Sequence, residues 1–408
     1  MVSSGGRPMS KHARSHTDDL RGVTQLAVEA TRGVTALAEE MHATIAGGPA
    51  VLGQPLAAPA RLLTGLMYGA VCGVTQLVGT GIDRALAQLA PLLGASVPGL
   101  EREVVRAVLN GVLGDYLSET GNPLAIEMTF RVRGVPLELA RESLRDRFPD
   151  DAGGKLVVLV HGSCITDMQW TRNGHDHGAA LARDLGYTPV YLHYNSGLHI
   201  STNGRMFAAL LERLVAAWPV AVDELVIVGH SMGALVARSA CHVAEQTALA
   251  WRPRLRALVT LGAPHHGAPL ERAGAWFHLL LGISRYSEAL ARLGRIRSAG
   301  VTDLRFGNTC DEDWQGRDRF ARGHDPRCPL PLPADVRCYA IAGTLSTTAG
   351  QRLRSDGMVP VDSALGVHAE PARTLAFPSS HRFIALGTGH MELLGSSEVY
   401  AAIESWLR

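Results

Sequence analysis

Beyond Gly121-Asn122-Pro123, short runs of aliphatic and β-branched residues alternate with longer stretches whose apolar positions recur every three or four residues. The short runs predict strands at Ile126–Val132, Leu156–Val160, Thr188–His193, Leu225–Val228, Ala257–Leu261 and Val336–Ala342. The longer stretches predict helices at Gly178–Leu185, Arg205–Trp218, Met232–Glu245 and Ser397–Leu407. A run such as Leu156-Val-Val-Leu-Val160 is apolar throughout, so both faces of its strand must be covered. The fold class is therefore α/β, a mainly parallel sheet between helical layers. The alternation breaks at about 267–333, where Trp276-Phe-His-Leu-Leu-Leu281 precedes a polar loop. This segment reads as a cap inserted over the carboxyl edge of the sheet, the usual place for a site in such folds.

Upstream the pattern is different. From Asp19 to about Leu113 the apolar positions fall at helical intervals, and Arg21–Thr31 and Arg32–His42 repeat with a period of eleven residues, close to a whole number of helical turns. Leu62–Ile82 carries no charge and spaces Gly65, Gly69 and Gly73 four apart, which lets helices approach closely. It is long enough to cross a bilayer, but five glycines with Thr64, Gln76 and Thr80 dilute it, so a packed or interfacial helix is expected ahead of a membrane span. The expected organisation is a disordered segment 1–18, a helical region 19–120 and a catalytic domain 121–408. Residues 19–113 are the candidate surface for a membrane or lipid, with burial on the catalytic domain as the competing reading.

Composition narrows the classes of function. The chain has 408 residues, 46% hydrophobic and 19% charged with a net charge of +1, which gives no electrostatic reason to expect nucleic acid. Met1–Asp19 has no apolar core of the kind a secretory signal needs, so a cytoplasmic protein is expected, with lipid association left open. Six cysteines in no CxxC pair suggest neither a disulfide scaffold nor zinc. Cys310 and Cys328 flank a polar loop and are the candidates for a bridge.

The chemistry concentrates at Leu225-Val-Ile-Val-Gly229-His230-Ser231-Met232-Gly233, an apolar run, a Gly-x-Ser-x-Gly turn and then a helical pattern. A serine at the apex of a tight strand-to-helix turn sits at a helix amino terminus, where the Met232 N–H is available to a developing oxyanion. Leu156–Val160 ends in His161-Gly162-Ser163, and the turn after Gly162 offers a second donor, the Ser163 amide, with Cys164 as the alternative. A serine hydroxyl needs a base, and the base needs an orienting acid, both later in the chain in this fold class. His390 follows a last strand, Phe383–Leu386, and the loop Gly387-Thr-Gly389, which favours it over His381, His368, His265 and His266. Asp356, in Ser355-Asp-Gly-Met-Val-Pro360, is the candidate acid, with Asp362 as its rival.

The His161-Gly162 strand end, Gly229–Gly233, Thr260-Leu-Gly-Ala-Pro-His-His-Gly267, Ser355–Pro360 and Gly389-His390-Met391 together resemble the bacterial lipase and esterase branch of the α/β-hydrolases, near the group similar to the GPI inositol-deacylases. The resemblance covers about Gly154–Arg408 and implies carboxylic ester hydrolysis by Ser231, Asp356 and His390 on a lipid-like acyl substrate. The chain departs from the pattern at Ala234, where a further glycine is common, and in the helical region before Gly121. His161, His230, Trp276, Phe277 and Leu280 are the expected substrate contacts, and Tyr194–Gly204 borders the site by position. Such chemistry needs no cofactor and no metal. His175-Asp176-His177 and Asp311-Glu-Asp313 read as a turn and a solvated loop rather than metal sites. The alternatives are an acyltransferase using the same three residues, and a lipid-surface structural protein with an inactive hydrolase fold.

Overall fold

The computed structural model of the protein describes residues 99–149, 152–268, 298–318, 325–348 and 354–408. The eleven-residue repeat, the segment 62–82 and the expected cap contacts Trp276, Phe277 and Leu280 lie outside the described residues.

The described strands are β1 (Thr129–Val132), β2 (Val135–Pro136), β3 (Lys155–Val160), β4 (Thr188–His193), β5 (Glu224–His230), β6 (Leu255–Leu261), β7 (Arg337–Thr344) and β8 (Arg382–Leu386). They form one sheet in the order β2-β1-β4-β3-β5-β6-β7-β8. The ladder from β4 to β8 is parallel, and only the β1–β2 and β1–β4 pairings are antiparallel.

The helices that matter for the site are α1 (Gly99–Glu119), α2 (Arg141–Arg147), α3 (His177–Leu185), α4 (Ile200–Ala217), α5 (Met232–Thr247), α6 (Ala299–Asp303), α7 (Val361–Ala364) and α8 (Ser397–Leu407). Successive side chains of β3 go to opposite layers. Val157 and Leu159 meet α1, α3 and α8 on one face, while Leu156, Val158 and Val160 meet α2, α4, α5 and α7 on the other. This explains why the strand reads as an unbroken apolar run. After β3 the chain crosses to β4 on one side and then returns to β5 on the other. The order of the strands thus reverses between β3 and β5, and in open parallel sheets the carboxyl ends at such a reversal are where sites form.

Helix α1 precedes the domain boundary expected at 120/121, yet Val105, Val108, Leu109, Val112, Leu113 and Leu117 belong to the same core as Val157 and Val226. Buried Asn110 ties it down: its amide donates to the Leu124 carbonyl at 2.9 Å and its oxygen accepts the Ile126 N–H at 2.8 Å. That bond also explains why β1 begins at Thr129 and not at Ile126, whose N–H is taken. Helix α4 starts five residues before the expected Arg205. Asp303, distant in sequence, accepts the Ile200 N–H at 2.9 Å and caps the helix from α6. No helix among the described residues is long and apolar enough to cross a membrane.

Candidate active site

The buried strand β5 ends in a turn whose backbone is strained. Ser231 has φ 53° and ψ −124°, a region that residues with a Cβ rarely enter, at a cost of about 1–3 kcal/mol. The Ser231 N–H is held by the Leu261 carbonyl at 2.8 Å, and α5 begins at the next residue. Both flanking glycines are dictated by backbone contact. A Cβ on Gly229 would lie 2.5 Å from Ala234 Cα, and one on Gly233 would lie 2.2 Å from the Val160 carbonyl oxygen. Met232 is the first residue of α5, so its N–H has no acceptor within the helix.

The loop after β3 passes against this turn, with Gly162 so close that a Cβ there would stand 3.1 Å from Ser231 Cβ. The Cys164 N–H donates to Ser196 Oγ at 3.1 Å, which removes it from the pair of oxyanion candidates and leaves the Ser163 amide. Burial pushes the Cys164 thiol up to about 11, so it stays protonated at neutral pH.

Asp356 and His390 arrive from the ends of β7 and β8. His390 Nδ1 lies 2.7 Å from Asp356 Oδ2, with both side chains 1% exposed. The His390 N–H also donates to the Asp356 carbonyl at 3.0 Å. Asp356 Oδ1 is occupied separately by the N–H groups of Met358 and Val359, at 2.9 and 2.7 Å. With Nδ1–H donating to the carboxylate, the lone pair of His390 is on Nε2. Gly262 makes room for this ring, since a Cβ there would come within 3.1 Å of His390 Cε1.

Other sequence candidates fall elsewhere. Asp362 is exposed in the first turn of α7. His265 is buried beside Arg238, His381 bonds the Cys338 carbonyl at 3.0 Å, and His368 accepts the Glu370 N–H at 3.0 Å. His161 and His230, expected to touch substrate, are each 1% exposed and engaged within the protein. His161 stacks on Tyr194 at 4.4 Å and donates from Nδ1 to the Gly162 carbonyl. His230 donates from Nε2 to the His390 carbonyl at 3.1 Å. Burial, then the neighbouring His390, hold His230 well below the ordinary imidazole range, so it is a neutral donor that fixes the His390 loop. Tyr194–Gly204 builds scaffold: Tyr194 OH donates to the His161 carbonyl, and the Asn195 amide donates to the Gly114 carbonyl. Cys310 and Cys328 are free thiols rather than a bridge.

The motif His175-Asp176-His177 does structural work. Asp176 caps α3 through the Ala179 N–H, and His177 bridges His175 to the Leu393 carbonyl just past His390, with both bonds at 2.9 Å. No group of metal-ligating side chains gathers among the described residues. Asp313 accepts the N–H groups of Thr309 and Cys310, and Asp311 is paired with Arg205. Sequence reasoning missed the supports His230, His177 and Ser196, because each acts on a partner far away in the chain.

A parallel sheet that delivers a strained serine from its central strand, and a histidine–aspartate pair from the strands beyond, is the arrangement of the α/β-hydrolase fold. Residues 151–325 match the family model described as PGAP1-like alpha/beta domain, a span that includes Ser231 and ends before Asp356. Comparison with curated proteins returns no match. Among solved structures, the chain is similar to the mature Bacillus licheniformis lipase BlEst2, with 17% identity, 62% of this chain and 91% of that one covered, and a TM-score of 0.41. It is also similar to the Pyrococcus furiosus esterase PF2001, at 13% identity, 63% and 83% coverage and a TM-score of 0.35. A third is the RedJ thioesterase from the prodiginine biosynthetic pathway in Streptomyces coelicolor, at 15% identity, 63% and 91% coverage and a TM-score of 0.36.

Proposed function

We propose that the protein is a serine carboxylic ester hydrolase, a lipase or esterase, that acts on an apolar, lipid-like ester through Ser231, His390 and Asp356. The observation that carries this reading is the strained Ser231, φ 53°, at the carboxyl end of the central strand, on the same sheet edge as His390 and Asp356, joined at 2.7 Å. Strain of this kind persists only where the surrounding structure holds it, and it clusters at reacting residues.

In the mechanism, His390 Nε2 takes the Ser231 proton as Oγ attacks the ester carbonyl carbon. The negative charge that forms on the carbonyl oxygen is met by the Met232 and Ser163 N–H groups. His390 then gives the proton to the departing alkoxy oxygen as the C–O bond breaks, leaving an acyl group on Ser231. Water attacks this acyl-enzyme, loses its proton to His390, and releases the acid while Ser231 regains its hydrogen. Asp356 keeps Nδ1–H directed toward itself, and with it the orientation of Nε2.

The apolar sequence at Trp276, Phe277 and Leu280 supports a lipid-like acyl or alcohol group. The test is hydrolysis of p-nitrophenyl esters from acetate to laurate at matched solubility, with Ser231→Ala as control. Rates that rise with chain length, and vanish in the variant, are expected. Acetate turned over as well as laurate contradicts the lipid-like substrate, and turnover by Ser231→Ala contradicts the nucleophile. An acyltransferase would instead give a new ester as the main product when an alcohol is supplied.

A further inference from the structure

Helix α5 carries, two turns beyond Ser231, a buried arginine that the mechanism does not use. Arg238 is 4% exposed, and no carboxylate among the described residues lies within ion-pair distance of it. Its Nη2 donates to the Leu330 carbonyl at 2.5 Å, its Nη1 lies 3.4 Å from His265 Nδ1, and its Nε is buried with no acceptor among the described residues. Burying an unpaired guanidinium is far more costly than burying a neutral donor, because the charge loses its hydration along with its hydrogen bonds.

The side chain borders a small cavity of about 20 Å³, which is room for one water-sized sphere. Arg327 and Arg373 line the same cavity, with His265, His266 and Thr309. Asp325 pairs with Arg327 at 2.7 Å and with Arg373 at 3.3 Å, and Glu370 takes the remaining side of Arg373 at 2.8 Å. Two of the three guanidiniums thus have carboxylate partners, and the one left over among the described residues is Arg238. The adjoining imidazoles do not change this sum. Burial first, then the arginine charges, keep His265 well below its usual range, and His266 is lowered to about 4, mainly by burial. Burial, then Arg327, also bring Arg238 down to about 10, which still leaves it charged at neutral pH.

We propose that this cavity is a binding site for a small monovalent anion of halide size, which neutralises Arg238 and accepts its Nε–H. A single water would accept the hydrogen bond but leave the charge. The site depends on none of the catalytic assignments above, so it stands or falls separately from them.

Two measurements on the full chain test it. Thermal unfolding at fixed pH and ionic strength, with chloride replacing gluconate, is expected to show a saturable rise in Tm of about 2–4 °C. Bromide should act alike, and Arg238→Met should abolish the rise. If that variant does not fold, Arg373→Gln, at the rim, should move half-saturation to higher chloride. Crystals of the unmodified protein soaked in bromide decide the location: an anomalous peak between Arg238 and Arg327 is expected. Absence of that peak overturns the proposal, as does a Tm that rises with sulfate and not with chloride.

Discussion

Acidification should destabilise the fold well before its carboxylates titrate. His161, His177, His230 and His265 are buried, and burial is the first cause lowering each of them, His161 to about 3, His177 to about 4, and His230 and His265 well below the usual value. In the unfolded chain the same rings titrate near ~6.5. Between the two values the unfolded chain binds protons that the folded one refuses, so stability is complete above about pH 7 and falls as pH drops through ~6.5. For a ring that stays neutral in the fold, the loss from pH 7.5 to 5 is about 2 kcal/mol. Four rings together lose roughly 8 kcal/mol, comparable to the whole stability of an ordinary domain. Urea unfolding at pH 7.5, 6.5, 5.5 and 5.0 at constant ionic strength gives the free energy at each pH by linear extrapolation. The midpoint should fall steadily across the series, and His177→Gln should shallow the slope. A stability that changes by less than about 2 kcal/mol over this window would refute the reasoning, since the rings would then accept protons in the fold.

Replacing Asp356 by Asn should reduce kcat roughly 10³- to 10⁴-fold with little change in stability, whereas Asp362→Asn should be near normal; the reverse order would transfer the acid role to Asp362. Gly233→Ala puts a Cβ 2.2 Å from the Val160 oxygen and should cost about 3 kcal/mol or more, while Gly389→Ala, which meets only the end of the Glu392 side chain at 3.2 Å, should be mild; equal denaturant midpoints for the two would contradict the elbow packing. Deleting residues 1–98 should leave a folded hydrolase domain, but deleting 1–120 removes the six Val and Leu side chains that α1 contributes to the core, about 9–18 kcal/mol of gross burial, and should give aggregation. If residues upstream of α1 hold the protein to lipid, the shorter deletion should also lose co-sedimentation with phosphatidylcholine–phosphatidylglycerol vesicles that the full chain shows.

The hydrolase fold is readable because its strands are short apolar runs and its serine turn is a local pattern. Leu156–Val160 and Thr188–His193 coincide with observed strand segments, and Ser231, Asp356 and His390 lie in the connections that follow β5, β7 and β8. What escaped was long-range. The start of α4 is set by Asp303, the start of β1 by Asn110, and the fixing of the His390 loop by His230 and His177. In each case a side chain satisfies a backbone group far along the chain, which no periodicity records. Their place in sequence, beside the serine turn and at the end of β3, suggests substrate contact for His161 and His230. A residue at the end of a central strand, however, has neighbours on every side, and theirs are Tyr194, Gly162 and His390. The role of α1 was likewise hidden, because an apolar stripe does not say whether it faces a membrane or a sheet.

The proposed function requires Ser231 to be an activated nucleophile. Incubating the full chain with a fluorophosphonate and measuring intact mass tests it directly, since the reagent captures a serine only where a base removes its proton and an oxyanion site receives the charge. One stoichiometric adduct is expected, mapped by peptide sequencing to Ser231, absent in Ser231→Ala and strongly slowed in His390→Ala. An unlabelled wild-type protein that is demonstrably folded, or an adduct that persists in Ser231→Ala, would contradict it.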